Sequence, residues 1–411
     1  MFKLLKNAHC FTPQDIGIKD ILVIFHKICL IEDDICSTDI KNFFRKQKGE
    51  VIDCSGLIAV PGFIDQHVHI VGGGGEHGPL SRTPEINLSD ITMAGVTTVV
   101  GVLGFDSVTR SISGLLAKAR ALENEGISTC IYTGSYGIPP ATLTGKVLTD
   151  IALIDKVVGV GEIAISDHRS SHPSLATLRE IAVEARTGGM LGGKAGIVHI
   201  HVGDGKEGLN PVFQLLEESD FPVEMFVPTH INRNPELFGQ GIRFLRAGGN
   251  IDLTAGEKKG LSVPHALERI RSEGFSLDHV TITSDGNGSI GGETKTETNG
   301  QSNNQNYSQV NTGSKHREPG KPGIQKMEDL LKDFRKAALE QKIPLTDLLK
   351  TITTNPARIL KMFPKKGTLA PGSDADILIL RPHDLKVEML LSQGDILIKE
   401  EKPVKKGTYE N

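Results

Sequence analysis

From Gly62 to about Gly288 the chain alternates apolar, β-branched runs with amphipathic segments. This alternation is typical of βα units arranged around a parallel sheet. The helix candidates include 111–125 and 174–186, where apolar residues recur every three or four positions. An open doubly wound sheet is disfavoured because no G-x-G-x-x-G follows the first strand. We therefore predict an α/β fold with a (β/α)8 TIM-like barrel. The eight strand candidates are 62–70, 96–105, 128–136, 157–166, 196–203, 226–230, 250–254 and 280–285.

Both ends of the chain have a different pattern. Residues 1–58 contain short strand candidates, of which 21–25 and 27–31 are the clearest, and the tail returns to strand alternation after two helix candidates, 325–341 and 345–362. We predict three segments: 1–58 and 364–411 as the two halves of a small β-sandwich domain, and 59–363 as the barrel. The stretch 290–322 is rich in Gly, Asn, Ser, Thr and Lys, which predicts a long loop at the barrel mouth. It can serve as a lid or be a dispensable insertion.

Composition excludes several classes of protein. The chain has 411 residues, 38% of them hydrophobic, which suffices for a sizeable core. Its net charge of -4 argues against a nucleic-acid partner. No run approaches a membrane span, and the five scattered cysteines, without C-x-x-C spacing, suit reduced thiols. We expect a soluble, cytoplasmic protein with no membrane association.

Candidate metal ligands lie at the predicted carboxyl ends of the strands, where barrel chemistry takes place. His67 and His69 project from the same face of the first strand because side chains alternate along a strand. Strand five offers His199 or His201, and alternation does not choose between them. Imidazoles and carboxylates that converge on one mouth predict a divalent metal centre. The remaining candidates are Glu162 on strand four, His230 on strand six and Asp285 on strand eight.

Five motifs carry a family resemblance: PGFIDQHVH (61–69), GGGGE (72–76), AISDHRS (164–170), PTHINRN (228–234) and SDGNGS (284–289). They resemble the isoaspartyl (β-aspartyl) dipeptidases of the amidohydrolase superfamily, and the similarity extends from the first strands to Gly407. The resemblance implies two divalent metal ions, for which zinc suits the mixed ligands. It implies that His67 and His69 hold one ion together with Asp285, and that His201 and His230 hold the other. It also implies a homo-oligomer, for which an octamer is one candidate.

One position departs from this resemblance. The best-known family members have on strand four a lysine that is carboxylated and bridges the metals, whereas the aligned residue here is Glu162. A glutamate supplies the same two oxygens without carbon dioxide chemistry. We predict that Glu162 bridges the ions and that bicarbonate does not affect activation. Lys194 is the nearest other lysine candidate, and we interpret it as a solvated residue before strand five.

The implied chemistry is metal-dependent hydrolysis. Two cations can lower the pKa of a bridging water and polarise a carbonyl group. In this reading Asp285 accepts the proton of the nucleophile and passes it to the leaving amine, and Tyr136 donates to the oxyanion. By resemblance, Arg169 and Arg233 bind two substrate carboxylates and Glu76 binds an ammonium group. Gly74, Gly75 and Ser289 complete the implied binding residues, and Phe105 stands where family members can carry a small hydroxyl residue.

The function predicted from these residues is hydrolysis of β-aspartyl dipeptides to aspartate and an amino acid. A second hypothesis is another amide hydrolase of the superfamily, such as a D-aminoacylase or a cyclic-amide hydrolase, which needs only one carboxylate-binding arginine. A third is a non-catalytic barrel, which would be expected to lack a metal ligand, and none is missing.

Overall fold

The computed structural model describes residues 2–43, 49–290 and 323–410. The chain begins with a β-sheet in which the first strand pairs antiparallel with the second and the second with the third. The first strand also pairs in parallel with the fourth and fifth strands. A short helix, which the sequence prediction did not include, connects the third strand to the fourth. The elements are β1 Phe2–Phe11, β2 Asp15–Ile24, β3 Lys27–Glu32, α1 Ser37–Phe43, β4 Gly49–Asp53 and β5 Ile58–Pro61.

Eight parallel strands follow, one for each strand candidate in the sequence. The first six form one parallel sheet, and the last two form a parallel pair. The prediction of a (β/α)8 barrel is therefore confirmed. The strands are β6 Phe63–Val68, β7 Val96–Gly101, β8 Ser128–Thr133, β9 Val157–Ile165, β10 Ile197–Val202, β11 Phe226–Thr229, β12 Ile251–Thr254 and β13 Val280–Thr283.

The barrel closes through contacts on either side of the β12–β13 pair. Val68 forms a parallel bridge with Gly286, and the backbone N–H of His69 donates to the Gly286 carbonyl at 2.9 Å. On the other side, the Thr229 hydroxyl of β11 donates to Asp252 of β12 at 2.6 Å. Backbone contacts on one side and a side-chain hydrogen bond on the other thus join the pair to its neighbouring strands.

Helices cover the outside of the barrel and pack on its outward-facing apolar residues. Prediction and structure agree at Ser111, which caps the third helix by accepting from the Gly114 N–H. The candidate 345–362 is two helices that break at Thr353, since Pro356 cannot continue the preceding helical hydrogen bonds. The helices are α2 Leu88–Met93, α3 Ile112–Glu125, α4 Val147–Leu153, α5 Leu175–Gly192, α6 Asn210–Glu217, α7 Pro235–Arg246, α8 Val263–Ser272, α9 Glu328–Leu339, α10 Leu345–Ile352 and α11 Thr354–Ile359.

The amino end of the barrel interior is apolar. Inward-facing residues of neighbouring strands, including Ile64, Val100 and Ile197, form one core cluster with Ala357 and Leu360 from the α11 region. This apolar layer closes the barrel at that end, so polar chemistry is confined to the opposite mouth. Of the predicted loop 290–322, residues 291–322 lie outside the described residues. The chain on either side of them pairs antiparallel, as β14 Ser289–Ile290 with β15 Gly323–Ile324.

The tail returns to the first sheet. The strands β16 Ile377–Leu380, β17 Val387–Ser392, β18 Asp395–Lys399 and β19 Lys402–Pro403 pair in succession, and β16 pairs antiparallel with β5. One apolar core then joins residues from both chain ends, such as Ile21, Val23, Ile377 and Leu391. A small β domain built from both ends is thereby confirmed, while its exact boundaries stay a prediction. Among the described residues no helix is long and apolar enough to span a bilayer.

Candidate metal centre and active site

Five predicted ligands converge at the carboxyl mouth of the barrel. The Nε2 atom of His67 lies 3.3 Å from Glu162 Oε1 and 3.4 Å from Asp285 Oδ1. His69 Nε2 lies 3.1 Å from the same Asp285 oxygen. Two groups of three, His67 with His69 and Asp285, and His67 with Glu162 and His230, each bring their ligand atoms within 4.8 Å of one another. Each group is compact enough to hold a cation.

Glu162 lies at the centre of this cluster and is fully buried. Besides His67, its Oε1 atom faces His201 Nδ1 at 3.2 Å and His230 Nε2 at 3.6 Å. Its Oε2 atom faces His69 Nε2 at 3.6 Å. The two carboxylate oxygens therefore point toward different histidines, which is the arrangement expected of a residue shared by two cations.

His201 has contacts on both ring nitrogens. Its Nδ1 lies 2.6 Å from the Tyr136 hydroxyl, and its Nε2 lies 2.9 Å from Asp167 Oδ2. His201 belongs to neither of the two compact groups, although Nδ1 also faces Glu162. Asp167 was missed by the sequence interpretation, even though it stands in the quoted motif two residues before Arg169. It holds the His201 ring from behind, as acceptors commonly do for metal-binding histidines.

The two histidines of β10 make different contacts: His201 faces Glu162, whereas His199 faces the ring of His67. His199 Nε2 lies 2.9 Å from His67 Nδ1, the nitrogen that does not face the carboxylates.

Lys194 precedes β10 at the other end of the barrel and donates to the Ile154 carbonyl at 2.6 Å. It is half-buried there, so the interpretation of Lys194 as a solvated residue was only partly correct.

The backbone just after two strands orients the side chains of His230 and Asp285. The predicted strands six and eight included His230 and Asp285, but both residues follow the last paired residue and adopt left-handed backbone conformations with φ of 64° and 52°. Non-glycine residues seldom adopt this region, in which Asp and His are enriched. Asn232 fixes the turn after β11 by bonding the backbone of Thr254 on β12.

The donor set fits a divalent cation. His67 Nε2 and Glu162 Oε2 are buried without a hydrogen-bond partner, at a cost that a bound ion would remove. Three or more imidazole nitrogens with carboxylate oxygens suit zinc and related divalent ions. The described residues thus contain a built site for a metal.

The charges of the buried histidines and carboxylates shift one another's pKa values. Burial opposes the charged form of each group, yet the negative charges of Glu162 and Asp285 outweigh it and raise the pKa of His67 to about 9. The same attraction holds the pKa of Glu162 well below its usual value and lowers that of Asp285. Burial and the Arg233 charge lower the pKa of His230 to about 3. Both carboxylates are therefore anionic at neutral pH, whereas His230 is neutral.

Predicted substrate-binding residues line the same mouth. Arg169 Nη1 lies 2.9 Å from Glu76 Oε1, which also accepts from the Ser289 hydroxyl at 2.8 Å. Arg169 donates through Nε and Nη2 to Asp167 at 3.0 and 2.8 Å. Arg233 Nη1 donates to the Val202 carbonyl at 3.0 Å and lies 3.4 Å from His201 Nε2. An anion and two guanidinium groups therefore stand within one small region beside the metal cluster.

The glycines have separate roles. At Gly74, where φ is 77°, an added Cβ would lie 2.2 Å from the Ser81 carbonyl oxygen, so this glycine is required by the loop itself. At Gly75 an added Cβ would meet nothing closer than 3.9 Å, which leaves open space. Gly104 was not predicted, and a Cβ there would lie 2.5 Å from the His69 ring. Next to it, Phe105 is 39% exposed and packs edge-on against Tyr136 with ring centroids 6.3 Å apart.

Known proteins share this fold. The amidohydrolase family model matches residues 250–398. A D-hydantoinase of Rhizobium radiobacter is 39% identical over 75 residues, which span 18% of this chain and only 15% of that enzyme. The structure of a dihydropyrimidinase from Brevibacillus agri NCHU1002 aligns with 99% of this chain and 97% of its own at a TM-score of 0.66 and 17% identity, a likeness of fold alone. The barrel and its histidine–carboxylate mouth thus define a metal-dependent amidohydrolase.

The family can be stated more narrowly. A crystal structure of the β-aspartyl dipeptidase from the thermophilic, keratin-degrading Fervidobacterium islandicum AW-1, in complex with the β-Asp-Leu dipeptide, is 42% identical. The alignment covers 98% of each chain with a TM-score of 0.85. The chain belongs to the β-aspartyl dipeptidase family.

Proposed function

We propose that this protein hydrolyses β-aspartyl dipeptides to aspartate and an amino acid with two bound divalent cations, zinc in both positions. The observation that carries the proposal is the meeting of a metal-binding cluster with an Arg169–Glu76 ion pair at one barrel mouth. The full-length likeness to a dipeptidase crystallised with β-Asp-Leu supports it. A homo-oligomeric state and a cytoplasmic location belong to the same proposal and rest on the sequence resemblance.

The ligands divide into two sets under this proposal. His67, His69 and Asp285 would hold one cation, His201 and His230 the other, and Glu162 would contribute one oxygen to each. When bound, such ions supply an activated water and polarise the scissile carbonyl. Glu162 Oε2 faces His69 and Oε1 faces His201 and His230, which supports this division, while His67 lies beside Oε1 between the two sets.

Asp285 is the proton carrier in this proposal. Its carboxylate is 20% exposed, unlike the buried Glu162, so a substrate can reach it from the mouth. Because the surrounding histidines lower its pKa, Asp285 is ionised at neutral pH and can accept a proton on a carboxylate oxygen. Donation of the same proton to the leaving nitrogen returns Asp285 to its starting state.

Tyr136 acts as a donor in this proposal. Burial and the Glu162 charge raise the pKa of its phenol well above the usual value, so it keeps its hydrogen. The Tyr136 hydroxyl has a single hydrogen, and its oxygen lies 2.6 Å from His201 Nδ1, to which the hydroxyl can donate. If His201 Nδ1 held a cation, it could no longer accept from Tyr136, and the hydroxyl would be free to donate to the substrate carbonyl oxygen.

The zwitterionic ends of the substrate match the charges of the mouth. A β-aspartyl dipeptide carries two carboxylates and one ammonium group around its amide. Arg169 has five N–H donors, of which three are used by Asp167 and Glu76, so two remain for a carboxylate. Arg233 can bind the second carboxylate, and the buried, unpartnered Glu76 Oε2 can accept from the ammonium group. Gly75 leaves room for the ligand, and the Ser289 hydroxyl orients Glu76.

A substrate comparison tests this proposal. Wild-type protein and the variants Arg169→Met and Arg233→Met are assayed with β-Asp-Leu and with a hydantoin, whose ring amide carries no carboxylate. We expect turnover of β-Asp-Leu only, with KM raised about 100-fold in each variant because a bidentate pair is lost. Hydantoin turnover by the wild type, with KM unaffected in both variants, would favour the alternative of a cyclic-amide hydrolase.

A further inference from the structure

His199 is the histidine of the cluster that the ligand set leaves unused. It is fully buried on β10, two residues before His201, and its Nε2 lies 2.9 Å from His67 Nδ1. Its ring stacks on Tyr132 with centroids 5.0 Å apart and planes at 22°. The residue is thus packed in one orientation behind His67.

The proton positions follow from the geometry. A neutral imidazole carries one N–H, and a ring nitrogen that binds a cation must be unprotonated. Since His67 Nε2 faces the carboxylates Glu162 and Asp285, the hydrogen of a metal-binding His67 is on Nδ1. It then donates to His199 Nε2, and His199 carries its own hydrogen on Nδ1.

Within the described part of the chain, no carboxylate oxygen accepts from His67 Nδ1. Asp65, the acid nearest along the chain, accepts from the backbone N–H groups of His67 at 3.1 Å and Ser284 at 3.2 Å. By contrast, His201 has a carboxylate behind it and His230 has the Thr254 hydroxyl at 2.7 Å. Among the described residues the acceptor available to His67 Nδ1 is therefore an imidazole.

We infer that His199 is a positioning residue for the metal centre: it accepts the His67 Nδ1 hydrogen and so directs the Nε2 lone pair toward the cation. The inference rests on the proposed metal-dependent function. Because His199 accepts as a neutral group, it orients His67 without adding a negative charge to a centre that already contains Glu162 and Asp285. Loss of such a partner typically weakens metal binding.

Two amide substitutions separate this role from packing. In His199→Gln the side-chain oxygen can take the place of Nε2, whereas in His199→Asn it reaches only the place of Nδ1. Zinc dissociation constants are measured for the wild type and both variants by competition with a chromophoric chelator. We expect binding about 10- to 100-fold weaker in H199N and within about threefold of wild type in H199Q.

Tyr132→Phe is the matched control. It keeps the ring beneath His199 and removes a hydroxyl that has no hydrogen-bond partner, so zinc affinity should not change. If H199N is not recovered folded, as judged by thermal unfolding of the metal-free protein, His199→Phe replaces it because that ring preserves the stack.

The outcomes distinguish the two proposals. Equal zinc affinity in H199N and wild type, or equal weakening in H199Q and H199N, would overturn the role of His199 alone. A wild-type protein that binds no zinc would instead overturn the proposed function.

Discussion

Replacing Glu162 by Gln removes a negative charge that faces four imidazoles and keeps the shape of the side chain. Glu162 Oε1 lies 3.3 Å from the ligand atom His67 Nε2. A unit positive charge of a bound cation at about that distance from the carboxylate would contribute about 5 kcal/mol at an effective dielectric constant of about 20. Part of this is offset by the cost of burying the carboxylate. We expect a net loss of about 3 kcal/mol in metal binding, which is about 100-fold in affinity.

Metal content and affinity measure this effect. Wild type and Glu162→Gln are dialysed against zinc, their metal-to-protein ratios are measured by elemental analysis, and dissociation constants are determined with a chelator. Glu85→Gln on the outside of the barrel serves as the charge-matched control. Bicarbonate should leave wild-type activation unchanged, because Glu162 needs no carboxylation. Wild-type affinity in the Glu162 variant, or activation by bicarbonate, would refute the assignment of Glu162 as the shared ligand.

Three further predictions concern the proton carrier, the proton balance and the small β domain. Asp285→Asn should lower turnover of β-Asp-Leu about 1000-fold while most metal stays bound, as measured by steady-state kinetics and elemental analysis. Zinc binding at pH 7 should release about one proton, because the pKa of His67 is raised to about 9 without the metal and the ring must lose its extra proton to bind it. Calorimetry in buffers of different ionisation enthalpy measures the number of protons released. Lys366→Met should lower the free energy of unfolding in urea by about 3 kcal/mol, since the buried Lys366 lies 3.0 and 2.5 Å from Asp374 and Asp376.

Each of these has an outcome that would contradict it. Near-normal turnover in Asp285→Asn would exclude that residue as the proton carrier. A binding enthalpy that does not depend on the buffer would show that His67 is neutral before zinc binds. Because Glu162 and Asp285 raise the pKa of His67 to about 9, zinc affinity should increase with pH up to about that value. For Lys366 the control is Lys365→Met at the neighbouring exposed position, and equal stability of the two variants would remove the role of the buried ion pair.

The sequence predicted the barrel because its strands are short, apolar and regularly spaced, so hydrophobic periodicity alone identifies them. It placed the strand ends too late at His230 and Asp285, because apolar patterning does not reveal where a backbone turns left-handed. It also missed the break at Thr353, although Pro356 offered a signal.

Strand alternation had a clear limit at the candidate site. Alternation places His199 and His201 on the same face of the strand but does not tell how deep each one lies in the barrel. The fold shows that His199 lies behind His67, whereas His201 faces Glu162. Asp167 and Gly104 act on His201 and His69, which lie far along the chain, so strand alternation does not indicate them. The grouping of His67, His69, Glu162, His230 and Asp285 was predictable because parallel barrel strands deliver their carboxyl ends to one mouth.

The most direct test of the proposed function compares two isomers of one dipeptide. β-Asp-Leu and α-Asp-Leu have identical composition and charge and differ only in the carboxyl group that forms the peptide bond. For the zinc-loaded protein, kcat/KM for β-Asp-Leu should exceed that for α-Asp-Leu by at least about 100-fold, because the α-linked isomer misplaces a carboxylate relative to the arginines. Equal values, or a preference for α-Asp-Leu, would contradict the proposal.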